Sequence, residues 1–215
     1  MRRSLVAILA LAGTVGLAVA TATAAPRTNR LTAAARPSAI TFGQSTTVSG
    51  KLTAANHSGI AVLLAQDPFP YGDGFLPLAT ATTANNGDYS FHLRPASNTN
   101  YRVRAHGLTA FTGVRVHARV TLGVSDSTPS TVQFVRFFGS VGPRFDGRVV
   151  LIQRQAPSGG WSTVRRTLLN HTAIGNRSVY STRMRVPRTA NYRARFPTSG
   201  PYLTGTSATR TLTVH

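Results

Sequence analysis

The sequence predicts an all-β fold of two antiparallel β-sandwiches in tandem, and three observations carry that prediction. The chain presents one set of ordered blocks twice. Arg30-Leu31-Thr32, Thr47-Val48-Ser49-Gly50, Gly59-Ile60-Ala61-Val62-Leu63, Tyr89-Ser90-Phe91 and Asn100-Tyr101-Arg102-Val103-Arg104 are answered in order. Their counterparts are Arg119-Val120-Thr121, Arg136-Phe137-Phe138-Gly139, Gly147-Arg148-Val149-Val150-Leu151, Tyr180-Ser181-Thr182 and Asn191-Tyr192-Arg193-Ala194-Arg195. A shift of 89 aligns the first two blocks, and small loop changes move it to 88 and 91. Within the blocks, apolar and polar residues alternate with period two, as in Tyr89, Phe91 and Leu93 against Ser90, His92 and Arg94. Turn clusters such as Asn85-Asn86-Gly87-Asp88 and Pro157-Ser158-Gly159-Gly160 separate the blocks at short spacing.

The elements follow in order. Arg2-Arg3, an apolar run from Leu5 to Ala20 and Ala22-Thr23-Ala24 give the charged, apolar and small-residue order of a secretory signal peptide. The run is 16 residues long and broken by Gly13, Thr14 and Gly16, too short for a transmembrane anchor. The Arg pair sits against Met1, so ordinary secretion is expected over a twin-arginine route, with cleavage near Ala24 or Ala25. Residues 1–24 are thus read as leader, 25–29 as a loose tail, 30–118 as the first sandwich and 119–215 as the second. Strands are expected at 30–35, 46–52, 60–66, 75–82, 88–93, 101–105 and 113–117. In the second sandwich they are expected at 119–124, 132–141, 148–154, 161–168, 178–186, 192–196 and 208–214. With Val116-His117 closing one sandwich and Arg119-Val120 opening the next, little freedom is left between them.

Composition bounds the function. The chain has no Cys, which excludes disulfides and thiolate metal sites, so core packing alone must hold an exported fold. There are 24 Lys+Arg against 5 Asp+Glu; without Arg2 and Arg3 the net charge is +17. Residues 25–117 hold 8 basic and 3 acidic residues, whereas 118–215 hold 14 and 2. Such an excess attracts polyanions and is silent about fold. Lys51 is the single Lys, so the charge is nearly all guanidinium. Both GC-rich codon usage and bidentate phosphate recognition account for that preference.

Val48-Ser49-Gly50-Lys51-Leu52, Gly147 to Arg154, Gly160-Trp161-Ser162-Thr163-Val164, Asn86 to Phe91 and the two Asn-Tyr-Arg blocks together resemble the tandem immunoglobulin-like repeats of secreted bacterial proteins. The resemblance covers almost all of 30–215 and implies an Ig-like sandwich with at most a surface or binding role, since such modules serve many functions. It departs from the pattern in lacking disulfide Cys and an accompanying catalytic domain. Tyr101 and Tyr192 open the penultimate strands, a position similar to the tyrosine corner, whose hydroxyl bonds back to upstream backbone. An ordinary inward aromatic fits them as well. Trp161 is expected to pack under its loop, with Phe75 as its counterpart.

Reactive constellations are weak. None of the six His sits in a nucleophile-elbow pattern, and five scattered Asp without a Glu give no carboxylate pair. His92 and His106 fall on outward strand positions and His57 and His171 in turns, as solvated surface residues. Asp67 and Asp73 share the loop Asp67-Pro68-Phe69-Pro70-Tyr71-Gly72-Asp73-Gly74, but calcium wants more oxygen ligands than they offer. A Pro/Gly-shaped loop is the preferred reading. Phe69, Tyr71 and Phe75 around it are the candidate recognition loop of the first sandwich. Asn56-His57-Ser58, Asn170-His171-Thr172 and Asn176-Arg177-Ser178 fit the glycosylation triplet and are read as turns.

Arg183, Arg185, Arg193 and Arg195 alternate outward in the second sandwich, and one of the adjacent Arg165 and Arg166 shares their face. These six are the candidate polyanion-binding residues. Nucleic-acid modules add aromatic stacking platforms, which the outward positions are expected to lack. The expectation is a secreted, non-enzymatic protein with no cofactor, no metal and no stable membrane insertion, structural or adhesive at the cell surface. Docking on anionic envelope polymers is its expected mode of attachment. The alternatives are a specific carbohydrate- or peptide-binding module using the Phe69/Tyr71/Phe75 loop, an extracellular nucleic-acid binder, and an enzyme whose His and Asp converge only on folding.

Overall fold

Alternation makes one face of each strand apolar, and such faces must meet another apolar layer to leave water. The computed structural model describes residues 28–215, and every regular element among them is a strand. The leader expected over 1–24, its cleavage site and residues 25–27 of the tail lie outside the described residues. Among the described residues no helix is long and apolar enough to cross a membrane.

The N-terminal half contributes β1 (Arg30–Leu31), β2 (Ala34–Arg36), β3 (Ala39–Thr41), β4 (Thr46–Thr53), β5 (Ala61–Pro68), β6 (Leu76–Thr82), β7 (Asp88–Leu93), β8 (Thr99–Ala105) and β9 (Leu108–His117). In one sheet β4 pairs with β1, β2 and β7; the other runs β3-β9-β8-β5-β6. Val48, Leu52, Tyr89 and Phe91 from the first sheet share one apolar cluster with Val62, Leu64, Tyr101, Val103, Val114 and Val116 from the second.

The C-terminal half contributes β10 (Arg119–Val120), β11 (Gly123–Val124), β12 (Phe134–Gly142), β13 (Val149–Gln155), β14 (Trp161–Leu168), β15 (Ser178–Arg185), β16 (Ala190–Phe196), β17 (Gly205–Thr206) and β18 (Arg210–Leu212). Here β12 pairs with β10, β11 and β15, while β16 pairs with β13, β17 and β18, and β14 flanks β13. A second cluster joins Val135, Phe137 and Tyr180 to Val150, Ile152, Tyr192, Ala194 and Phe196.

One pair breaks the antiparallel rule. β3 lies parallel to β9, with Ile40 opposite Val116, because the chain leaves the first sheet at Arg36-Pro37 and joins the second. In the C-terminal half the Ser127 and Pro129 carbonyls accept from the Thr213 and His215 N–H groups, a similar crossing without a regular strand. Neither β3 nor β17 was expected from the sequence, since two or three residues hold too little alternation to read a period.

Close approach across three neighbouring strands of one sheet is set by a glycine in each half. Tyr89 lies opposite Gly50, and its hydroxyl donates to the Thr32 carbonyl. Tyr180 lies opposite Gly139 and donates to the Thr121 carbonyl at 2.7 Å. A Cβ on Gly50 would overlap the Thr32 carbonyl, and one on Gly139 the Thr121 carbonyl. Of the two readings open for Tyr101 and Tyr192, the ordinary inward aromatic holds and the tyrosine corner does not. Tyr101 and Tyr192 are core aromatics, each 1% exposed, and the back-bonding hydroxyls belong to Tyr89 and Tyr180.

The two halves are joined by more than the peptide. Leu203 bridges to His117, its N–H donating to the Val116 carbonyl, while the Leu203 carbonyl accepts from Ala118. Asn98, 4% exposed, donates from Nδ2 to the Gly200 carbonyl at 2.7 Å and accepts at Oδ1 from the Val116 N–H. Phe42, Tyr202, Phe145 and Phe196 then form a chain of aromatic contacts linking the two clusters.

Candidate functional site

Strand register decides where the arginines point. Arg166 on β14, Leu151 on β13 and Arg195 on β16 stand in one row, turned away from the core. Two residues along, Arg193 lies opposite Gln153 and stacks on Trp161, with its guanidinium carbon 4.1 Å from the ring centroid. Trp161 is therefore held by a cation rather than tucked under its own loop. Burial, then the charge of Arg195, lower the Arg193 pKa from the ordinary guanidinium value, yet it remains protonated near neutrality.

Arg165 behaves differently from its neighbour. It stands opposite Ile152, on the core-facing side, and donates from Nε to Thr182 Oγ1 at 3.1 Å across the open edge of the sandwich. Arg183 and Arg185 belong to β15, in the other sheet, opposite Arg136 and Phe134. Arg185 covers the Phe134 ring at 4.9 Å and Arg136 covers Phe138 at 4.7 Å.

Both sheets turn their other side to the same core, so these two arginine-bearing faces look in opposite directions. The expectation that Arg183, Arg185, Arg193 and Arg195 share one face with one of Arg165 and Arg166 is therefore corrected. Arg166, Arg193 and Arg195 occupy one face, Arg183 and Arg185 the other, and Arg165 the edge. The expectation that outward positions lack aromatics is also corrected, because Phe134 is 57% exposed and Phe138 shares its face. The alternation Phe134, Arg136, Phe138 against Val135 and Phe137 carries that signal in the sequence. Among the described residues, ion pairs join Lys51 to Asp88, and Arg144 and His171 to Asp146. None of the six arginines has an acidic partner there.

The aromatic loop of the N-terminal half is divided too. Phe69 packs edge-on against Tyr71, with ring centroids 5.5 Å apart, and presses on Gly200 of the other half. Tyr71, at φ 65°, sits beneath Arg115. Phe75 turns instead onto the outer sheet face, against Phe111 at 5.7 Å and under Arg102 at 4.7 Å. The three therefore do not make one recognition surface. Asp67 is 8% exposed and accepts from the Gly72 N–H, while Asp73 points to solvent.

One serine, one histidine and one aspartate do converge. Ser178, fully buried, donates to Asp146 Oδ1, and His171 Nδ1 lies 3.0 Å from Asp146 Oδ2. The Ser178 hydrogen bond, with His171 and Arg144, holds the Asp146 carboxyl below the usual carboxylate range against some burial. A hydrolytic triad places imidazole between hydroxyl and carboxylate. Here the carboxylate is in the middle, so the serine loses no proton to a base; the group ties the 144–148 turn to β15. His171 is thus engaged while remaining 63% exposed at the surface as expected, and His57, half-buried, contacts the Ala54 carbonyl at 2.8 Å.

Comparison with known protein families and with curated protein sequences returns no match.

Proposed function

We propose that this chain is an exported, non-enzymatic protein of two tandem immunoglobulin-like sandwiches, 30–118 and 119–215, that attaches to anionic envelope polymers through its second sandwich. The observation that carries the attachment is the unpaired arginine on both outer faces of the C-terminal half. Guanidinium groups on rigid strands hold phosphate or sulfate in bidentate fashion, and each contact releases counterions from the polymer. Two opposed faces grip two polymer strands, which suits an adhesive or cross-linking role better than capture of one chain.

The Ig-like reading rests on strand order. β1 and β2, β4 and β7 oppose β3, β9, β8, β5 and β6 in the arrangement of A, B and E strands against G, F and C strands, with the first strand switching sheets. The C-terminal half repeats the pairing of its longer strands and the bulge, between Leu64 and Ala65 in one half and Ile152 and Gln153 in the other. Export is read from the residue order of 1–24.

Elution from intact cells between about 50 mM and about 500 mM salt tests the attachment, together with affinity for polyphosphate. Release should rise steeply with salt. Arg183→Ser with Arg185→Ser, and Arg166→Ser with Arg195→Ser, should each lower the slope of log K against log salt by about 2. Release unaffected by salt sinks the proposal. A second reading, an extracellular nucleic-acid binder, draws on Phe134 and Phe138 beside those arginines. It predicts single-stranded DNA binding well above polyphosphate of equal charge and a loss on Phe134→Ala.

A further inference from the structure

Leaving a buried N–H without an acceptor forfeits its hydration with no return, so folded chains seldom do it. Arg102 on β8 is such a case: its Nε is buried and has no hydrogen-bond partner among the described residues. The C-terminal half holds the corresponding arginine differently. Arg193 donates from Nε to Gln153 Oε1 at 2.9 Å, and Gln153 stands directly opposite it on β13. Opposite Arg102, on β5, stands Ala65. Both arginines stack on an aromatic at the start of the edge strand, one strand beyond their neighbour: Phe75 just before β6 in one half and Trp161 opening β14 in the other. Alanine in place of glutamine thus removes both the acceptor and the side chain that fills the space.

What remains is an open groove of about 460 Å³ on the outer face of β5, β6 and β8. Leu63, Ala65, Phe75 and Leu78 line it with carbon, and Arg102 and Arg104 line it with positive charge. No acid lines it. Leu63 is 54% exposed and Leu78 41%, unusual for side chains without a partner on a sheet face. The volume lies in the range of small-molecule sites, and its mixture of apolar wall and few convergent polar groups is theirs too.

We propose that this groove binds a small free carboxylate carrying an apolar body, such as a medium-chain alkyl or aromatic acid. The body covers Leu63, Phe75 and Leu78. The carboxylate meets the terminal guanidinium nitrogens of Arg102 and Arg104 in charge-assisted hydrogen bonds. Arg102 is only partly buried, so its guanidinium is reached from the groove. A polymer is excluded as the natural occupant because the groove is short and mostly carbon, unlike the arginine rows of the other half.

Calorimetric titration of the full chain with octanoate, at about 0.15 M salt, tests the site. Saturable binding to one site is expected, with 1-octanol at least about tenfold weaker for want of the charge. Ala65→Gln should weaken octanoate at least about tenfold while the thermal midpoint holds or rises, because the new amide fills the groove and accepts from Arg102. Leu63→Glu, at an exposed position, should weaken it comparably by repulsion, independently of how a glutamine packs. Arg183→Ser with Arg185→Ser should leave octanoate affinity unchanged, which separates this site from polymer attachment. Equal affinity for octanol and octanoate, indifference to both groove variants, or no saturable binding would overturn the proposal.

Discussion

The two halves of this chain solve one packing problem alike and one charge problem differently. In both, a glycine on the central strand lets a facing tyrosine reach a carbonyl across the sheet, Gly50 with Tyr89 and Gly139 with Tyr180. In both, an arginine lies on an aromatic ring beside the same bulge. The halves part at the residue opposite that arginine, Ala65 against Gln153. They part again at the free edges. β6 carries no charge and relies on Pro77, which has no N–H to offer a new strand, whereas β14 carries Arg165 and Arg166. Interior geometry tolerates little variation because a carbonyl cannot move out of the way of a methyl group. Outer-face chemistry varies freely, since solvent accepts almost any side chain.

That contrast is open to direct attack. Gly50→Ala and Gly139→Ala should be the most damaging changes, each costing about 3 kcal/mol in urea unfolding because the added Cβ meets backbone. If one is harmless, the two close contacts are not equivalent. Gln153→Ala should cost about 2 kcal/mol by stranding the Arg193 Nε, while Ala65→Gln should cost nothing or stabilise. Opposite signs for this reciprocal pair are the sharpest reading of the difference. Tyr89→Phe and Tyr180→Phe should each cost about 1 kcal/mol through the lost hydroxyl bond, measured by the same unfolding curves.

Titration tests the same positions without mutation. Burial pushes the Tyr89 and Tyr101 hydroxyls up to about 12, and raises Tyr180 as well. A raised value in the fold means these groups favour folding below the ordinary tyrosine value of about 10, and that support disappears as pH climbs through about 12. Tyrosinate absorbance and circular dichroism should therefore change together above pH 10 rather than in sequence. Asp146 and Asp126 work in the other direction. Hydrogen bonds from Ser178 and from the Thr128 N–H hold their carboxyls low, so their contribution is present above about pH 4 and fades as acid protonates them. Asp146→Asn should flatten the acid limb only slightly.

Long strands were legible because period-two alternation over six or more residues leaves little choice of face. β4, β7, β12 and β15 lie within a few residues of where the alternation puts them. The outward direction of Arg183, Arg185, Arg193 and Arg195 was legible for the same reason. Their separation onto two faces was not, since alternation gives the side of a strand and not the sheet to which the strand belongs. Phe69, Tyr71 and Phe75 lie within seven residues, yet Phe75 parts from the packed Phe69–Tyr71 pair, because positive φ at Tyr71, Gly72 and Gly74 turns the chain between them.

The residue order alone determined that this chain is built of strands and which side of each long strand faces inward, because both depend on neighbours one and two positions away. Tertiary structure decided which sheet each arginine joined and that Ala65 would leave Arg102 unanswered. Those outcomes depend on partners 13 or more residues distant, matched by register, and the local pattern does not contain that information.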